Sequence, residues 1–502
     1  MTEGALSGSA APRTYGNWRR VQSVGIANLG LAGTIVLFVG LIFVVLGLMF
    51  SLVVSLGAAV LTVAAIGPLM VRDRHNRNLF QRATARVAWA RGRAAGQHLY
   101  RSGPLARVPK GRCGLPGVMA SMTATEARDA YGRPFALLCH PWVSQVSVVL
   151  TTAPDGAALV DTDQVDNWVA HWGAWLAALG NEPGLMGASV IVDAAPDPGT
   201  RLRHEVLGHR SSEATALSKT VMEQVIGSYP AGSAAITCRV ALTWSMASRA
   251  QTGKKRSVNE MALDIGHRLP SLTASLAATG AGPSRPLTTD EIAAAVRVAY
   301  EPSLAAAVED VGPAHAGVEW PDAGPSAAQE AWDHYRHDGA VSVSWMMSEA
   351  PRGHVFSSVL SGLLAPHPDI ARKRVALLYR PYDTGAAVRV VEADRRDAAF
   401  AASGRRIGRA RDALSVQAAE KSAEEEAVGA GVVRFAMVVT ATVMSPEQVP
   451  MAASVVDTLG TTSRIRLRRA YGCQAGTFAV GLPLGLVSSA HLRVPQALRE
   501  AM

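Results

Sequence analysis

A histidine and glutamate cluster is the first place to look for chemistry, and the clearest one is His204 and Glu205 followed by His209. A zinc-binding helix needs its two histidines four positions apart, so that both imidazoles leave one face with the glutamate beside them. In HEVLGH they are five positions apart, which turns the second ring about 140° from the first. The phrase QTGKKRS at 251–257 contains Gly-Lys but lacks the earlier glycine of a phosphate-cradling loop, so it reads as an exposed basic turn. GLPLG at 481–485 has no serine for a nucleophile elbow, and His367 between Pro366 and Pro368 marks a turn. Cys113, Cys139, Cys238 and Cys473 are far apart with no CxxC pair, a pattern of reduced cytosolic thiols. Scattered carboxylates have no spacing that commits two of them to one site. The expectation is a chain that is not an enzyme, with no catalytic residue, cofactor or metal site.

Binding residues are easier to nominate. Trp168, Trp172 and Trp175 recur at helical spacing within DNWVAHWGAWL. Such a stripe is either a core face or, less commonly, a partner-binding face. Arg464, Arg466 and Arg468 alternate with Ile465 and Leu467, so a strand there aims three guanidiniums to one side. They suit contact with nucleic acid or an acidic partner, or charge protection of an edge strand. Arg372, Lys373 and Arg374 carry the same two readings.

The charge distribution narrows the partner. Residues 1–112 carry 14 basic and two acidic side chains, whereas residues 113–502 hold 35 basic and 38 acidic ones. The excess that makes the chain +9 therefore lies entirely in its first quarter, and a uniformly phosphate-seeking body is excluded. Nucleic acid is not expected as a partner except as a translocated substrate. Inside the basic region, 51 residues between Arg20 and Arg72 carry no charge. One bilayer crossing takes about 20 helical residues, so two spans are expected near Ile26–Leu46 and Phe50–Met70. The flanking Arg19, Arg20, Arg72, Arg74 and Arg77 are all basic, which places both flanks and both termini in the cytoplasm, below the plasma membrane. Beyond Met70, Leu79, Phe80, Ala83 and Val87 among arginines predict an amphipathic helix that lies on lipid headgroups or continues the second span.

The elements that follow alternate. Residues 1–25 form a tail, 26–70 the transmembrane hairpin, 71–117 a basic juxtamembrane helix and linker. A first cytosolic domain spans 118–300, a proline-rich linker 301–326, and a second domain 327–502. Thr123–Glu126 reads as a capping box that starts a helix. Strands are expected at 137–150 (broken at His140–Pro141), 188–193, 234–244, 340–345, 374–379, 432–443 and 464–467. Helices are expected at 163–179, 212–226, 259–278 with a break at Pro270, 288–300, 355–364 and 446–459. A long charged stretch, 386–426, predicts a helical arm or helix pair with break points at Gly404 and Gly408. The fold class is α+β: a two-helix hairpin, then two ferredoxin-like or similarly layered halves.

The phrases GLPGVMASMTATEARDAYGRPFALLCHP, DQVDNWVAHWGAWLAALGNEPGL, APDPGTRLRHEV and SYPAGSAAITCRVALTW resemble a family of uncharacterised actinobacterial integral membrane proteins. That family is typically encoded beside conjugation-type or type IV-like secretion ATPases. A more distant resemblance is to a type IV secretion hairpin subunit joined to the amino-terminal domain of its ATPase. The resemblance implies a non-catalytic, membrane-anchored component of a transfer apparatus. It would position a separate ATPase, contact lipids and other membrane components, and be able to form a homo-oligomer. The hairpin-plus-body plan also resembles the EccE-type component of type VII secretion, and a membrane-bound enzyme with a dispersed site is the remaining alternative.

Overall fold

In the computed structural model of the protein, the residues described are 13–16, 18, 30–71, 73, 75, 77–104, 106, 111–154, 156, 159–197, 199–228, 234–247, 255–351, 353–403 and 410–492. Two apolar helices, α1 (Gly30–Leu48) and α2 (Leu52–Met70), precede the basic α3 (Leu79–Ala94) and strand β1 (Leu99–Arg101). The next run is β2 (Thr123–Arg128), β3 (Pro134–His140), β4 (Gln145–Thr152), α4 (Thr162–Gly180), β5 (Leu185–Pro196), α5 (Thr200–Gly208), α6 (Ala216–Ser228), β6 (Ala234–Ser245), α7 (Val258–Leu276), β7 (Ser284–Pro286), α8 (Thr289–Tyr300) and α9 (Ala305–Val311). The last run is β8 (Ala327–Glu330), β9 (Tyr335–His337), β10 (Ala340–Glu349), α10 (Ser361–Leu364), β11 (Arg372–Pro381), α11 (Thr384–Ser403), α12 (Ala410–Ala427), β12 (Val433–Val443), α13 (Val449–Thr462), β13 (Arg466–Arg469) and α14 (Gln474–Val480).

The chain is α+β, and its strands form one antiparallel sheet in the order β1-β8-β9-β10-β12-β11-β5-β6-β4-β3-β2, with β7 beside β4 and β13 beside β10. The order β2-β3-β4-β6-β5 is repeated as β8-β9-β10-β12-β11, and the copies meet where β5 pairs β11. Thr243 faces Gly187 and Thr442 faces Arg372 in the two copies. Four residues further on, Ile191 lies opposite Ala376, and the approximate twofold axis falls there.

One face of the sheet is sealed by helices. Trp175 of α4 and Met261, Ile265 and Leu269 of α7 pack on Leu137, Val148 and Leu242. Ala452 and Val456 of α13 pack on Val343 and Val439. Ser257 with Glu260, and Thr288 with Glu291, complete capping boxes that open α7 and α8. The other face is covered by α8 and by the segment Gln474–Leu486, with Ile292, Phe478 and Leu482 among its buried side chains.

Several expectations are corrected. Two separately layered bodies are replaced by one continuous sheet, because β5 and β11 offer each other their free edges along seven paired residues. Residues 301–326 are short helical turns held on the core rather than a linker. Ala323 is buried, the Trp320 indole donates to Met122 O at 3.2 Å, and Arg297 donates to Gly324 O at 2.7 Å. Within the expected 71–117 linker, β1 pairs β8. Thr123–Glu126 lies in β2, where its alternation serves pairing with β3 instead of a helix cap. Helix α7 runs through Pro270, which is buried in its packed face. The 386–426 stretch is the helix pair α11 and α12; Gly404 and Gly408 lie outside the described residues.

Candidate membrane-facing site

Helix α2 has 19 residues and is apolar enough to cross a membrane by length and composition, while the apolar part of α1, Gly33–Leu48, is shorter. Among the described residues, the body leaves both helices largely uncovered: Phe43 is 61 % exposed and Leu61 73 % exposed. Their polar atoms are satisfied within the pair. Ser55 Oγ donates to Val44 O at 2.9 Å across the two helices, and Thr62 Oγ1 donates to Ala58 O at 2.7 Å. A side chain at Gly40 would meet Thr62 at 2.2 Å, so glycine is what lets the backbones approach.

Both flanks of this segment are held on one strip of the body, Ser348–Val355. On the amino-terminal side, the amides and carbonyls of Tyr15 and Val355 exchange two hydrogen bonds of 2.8 Å, and Tyr15 Oη donates to Asp166 at 2.6 Å. On the other side, His75 Nδ1 lies 3.4 Å from Ser348 Oγ, and Asp73 accepts from the amides of His75 and Arg77 at 2.7 and 3.2 Å. Helix α3 then runs along the body, where Trp89 meets Trp332 edge-on at 5.4 Å. Its Leu79, Phe80 and Val87 remain exposed.

The nominated residues divide. Arg77 lies at this junction; Arg19, Arg20, Arg72 and Arg74 are outside the described residues. Arg464 is not in a strand. It takes a left-handed turn conformation (φ 54°) and donates to His354 O at 3.2 Å, so only Arg466 and Arg468 share a strand face. Arg466 pairs with Glu349 at 3.1 Å, while Arg468 turns toward Arg77. Trp175 is buried; Trp172 stacks on it at 5.0 Å and meets Tyr379 edge-on, and Trp168 packs on Gly280. The edge-strand reading of Arg372, Lys373 and Arg374 is overturned, because β11 is paired on both sides.

Sequence reasoning missed a buried polar layer under α8 and the carboxy-terminal segment. His337 Nδ1–H donates to Tyr300 O at 2.5 Å, so its Nε2 accepts from Ser342 Oγ at 2.7 Å, which in turn receives the Thr442 hydroxyl at 2.7 Å. The other half sets His140 Nε2, Ser147 and Thr243 in the same order at 3.0 and 2.8 Å, but there the Thr243 hydroxyl donates outward to Gly485 O at 2.7 Å. Gly485 has φ +68°, and a side chain there would strike Ser147 at 2.4 Å. Burial pushes both imidazoles down to about 4 and keeps them neutral. A serine beside a neutral histidine is the opening of nucleophilic catalysis. Here Ser342 and His337 are 0 % exposed, and the second imidazole nitrogen is held by a carbonyl rather than a carboxylate. The signal in the sequence was hydroxyls at alternate positions, Ser342 and Ser344, Thr440 and Thr442, in otherwise apolar strands.

At the seam between the halves, Asp193 accepts from Arg372 at 2.9 Å and lies 4.0 Å from the Arg374 guanidinium. Burial would raise this carboxyl, but the charges of Arg372, Arg374 and Arg239 outweigh it and leave it below its ordinary value. Arg374 is 2 % exposed, lies over the Phe478 ring at 5.0 Å, and burial pushes it down to about 10. Burial likewise pushes Lys373 down to about 8; its ammonium donates to Gly362 O at 3.3 Å. Among the described residues, no group of three or more His, Cys, Asp or Glu side chains converges as a metal set.

Residues 22–81 match a family model described as a domain of unknown function (DUF8461), a span that takes in both apolar helices and the start of α3. No curated protein matches the chain.

Proposed function

We propose that this chain is a non-catalytic, membrane-anchored platform component of a transfer apparatus of the conjugation or type IV-like class. In this reading α1 and α2 cross the plasma membrane as a hairpin, and the two halves of the sheet are ferredoxin-like units that position a separate ATPase in the cytoplasm. The observation that carries the anchor is the convergence of both flanks of the apolar segment on Ser348–Val355. A single crossing would put Tyr15 and His75 on opposite sides of the bilayer, whereas a hairpin returns them to one side. The sealed histidine–serine contacts support a structural role, since Ser147 and Ser342 are fully buried beside their imidazoles, under α8 and the carboxy-terminal segment. The resemblance to proteins encoded beside secretion ATPases supplies the partner.

Two measurements test this. In intact cells, a Met49→Cys variant should react with a membrane-impermeant maleimide from outside, and the native cysteines only after permeabilisation. Labelling of Met49→Cys only after permeabilisation overturns the hairpin. Purification of the tagged protein in mild detergent should recover a conjugation-type ATPase in near-stoichiometric amount. Recovery of type VII components instead would move the protein to an EccE-like role, and recovery of the protein alone would overturn the platform reading.

A further inference from the structure

Where α3 leaves the apolar helices, it forms an open groove of about 610 Å³ with the ends of β10 and β13. His75, Arg77, Gln81, Thr84, Ser348 and Arg468 line it. Two guanidiniums therefore look into one groove. Arg468 is half-buried, and burial together with the facing charge of Arg77 pushes it below its ordinary value. Like charges are not brought together in a partly desolvated place without an anion to hold them. Among the described residues the Arg468 guanidinium makes no side-chain hydrogen bond or ion pair, although its backbone pairs with β10. Asp73, the carboxylate whose charge reaches Arg468, is already engaged by the backbone amides of His75 and Arg77. Gln81, Thr84 and Ser348 add neutral polar groups to the same walls.

What the groove adjoins decides the ligand. Only a few residues separate Arg77 from Met70, the last residue of the apolar α2, and the neighbouring turn of α3 exposes Leu79 and Phe80. A ligand that puts a phosphate between Arg77 and Arg468 and an acyl chain along these apolar side chains satisfies both features; a free anion satisfies one. We propose that this groove binds the phosphate of an anionic phospholipid headgroup from the leaflet that faces the body. This rests on the membrane reading above and adds a defined lipid site to it.

The test uses the full chain in nanodiscs of phosphatidylglycerol mixed with phosphatidylcholine, with retained lipid measured by native mass spectrometry after mild detergent release. Wild type should retain phosphatidylglycerol in preference to phosphatidylcholine. Arg468→Gln and Arg77→Gln should each weaken that retention about fivefold, the effect of one cation at a charged membrane surface. Arg86→Gln removes the same charge from an exposed position of α3 that does not line the groove, and should leave retention unchanged. Equal losses in all three variants would mean diffuse attraction and overturn the site. So would equal retention of both lipids. If inorganic phosphate competes at low millimolar concentration, and Arg468→Gln abolishes that competition, the site is for a free anion and the lipid assignment fails. Alkaline carbonate washing separates the two readings. Protein that stays in the membrane pellet without lipid preference refutes only the groove, and protein released to the supernatant refutes the anchor.

Discussion

The two halves of the sheet share a strand order and a histidine–serine–threonine chain, yet they close it differently. In the second half both imidazole nitrogens are engaged: His337 bridges Tyr300 O and Ser342, and Ser342 meets Thr442. In the first half, among the described residues, His140 Nδ1 meets nothing closer than the backbone of Leu484 and is left without a well-formed hydrogen bond, while Ser147 and Thr243 converge on Gly485 O, from the segment that crosses the sheet. One chain is complete within its own half and the turn of α8 above it. The other is completed by residues 240 positions or more further along the sequence. A repeated scaffold can thus hold one half by itself and make the other depend on a strap, because the same hydroxyls accept whichever backbone carbonyl is packed against them.

The seam that joins the halves offers the strongest way to break this arrangement. Asp193→Asn removes the carboxylate that Arg372, Arg374 and Arg239 share, and should cost about 3–5 kcal/mol in unfolding free energy. Urea or thermal unfolding in mild detergent reads this directly, and a loss below about 1 kcal/mol would mean that the seam is held by backbone pairing alone.

Acid is the next largest effect. His140 and His337 have folded values of about 4 against an ordinary 6.5, so the unfolded chain binds protons first as pH falls. Their neutral forms favour the fold fully above about pH 6.5, and this contribution drains away toward about pH 4. By about pH 5 each should have cost about 2 kcal/mol. The charges that face them are Arg374 and Glu301 for His337, and His491 for His140. Unfolding midpoints that match at about pH 7.5 and pH 5 would refute the buried neutral state of both rings.

The smallest effect separates the halves. Ser342→Ala leaves His337 Nε2 and Thr442 facing an apolar methyl in a closed site, and should cost about 1–3 kcal/mol. Ser147→Ala leaves Thr243 still bonded to Gly485 O and orphans only the His140 ring, so it should cost about 1 kcal/mol less than Ser342→Ala, which orphans two groups. Equal losses would erase the distinction drawn between the two chains.

Much of the frame was legible in the residues. The α+β class, the helix at Thr162–Gly180, the strands at Val433–Val443 and Ala234–Ser245, and the capping box at Thr288 follow from periodicity and local hydrogen-bond chemistry. The errors share one cause. Thr123–Glu126 carries a helix-start signature but pairs with β3, and Pro270 carries a break signature but sits inside a helix whose packed face holds it. Tertiary contacts outweigh such local preferences by their number. Arg372, Lys373 and Arg374 looked like surface charge because nothing local says that β11 is an interior strand.

The uncharged run of 51 residues with arginines on both sides is fixed by composition alone, since no packing arrangement makes so long an apolar stretch anything but a segment that avoids water. The same holds for the strand and helix alternation of the body. The meeting of β5 with β11, the convergence of Tyr15 and His75 on one strip, and the pairing of Arg77 with Arg468 across a groove belong to the tertiary structure. Each joins residues more than a hundred positions apart, and only the closing of the sheet brings such residues within reach of one another.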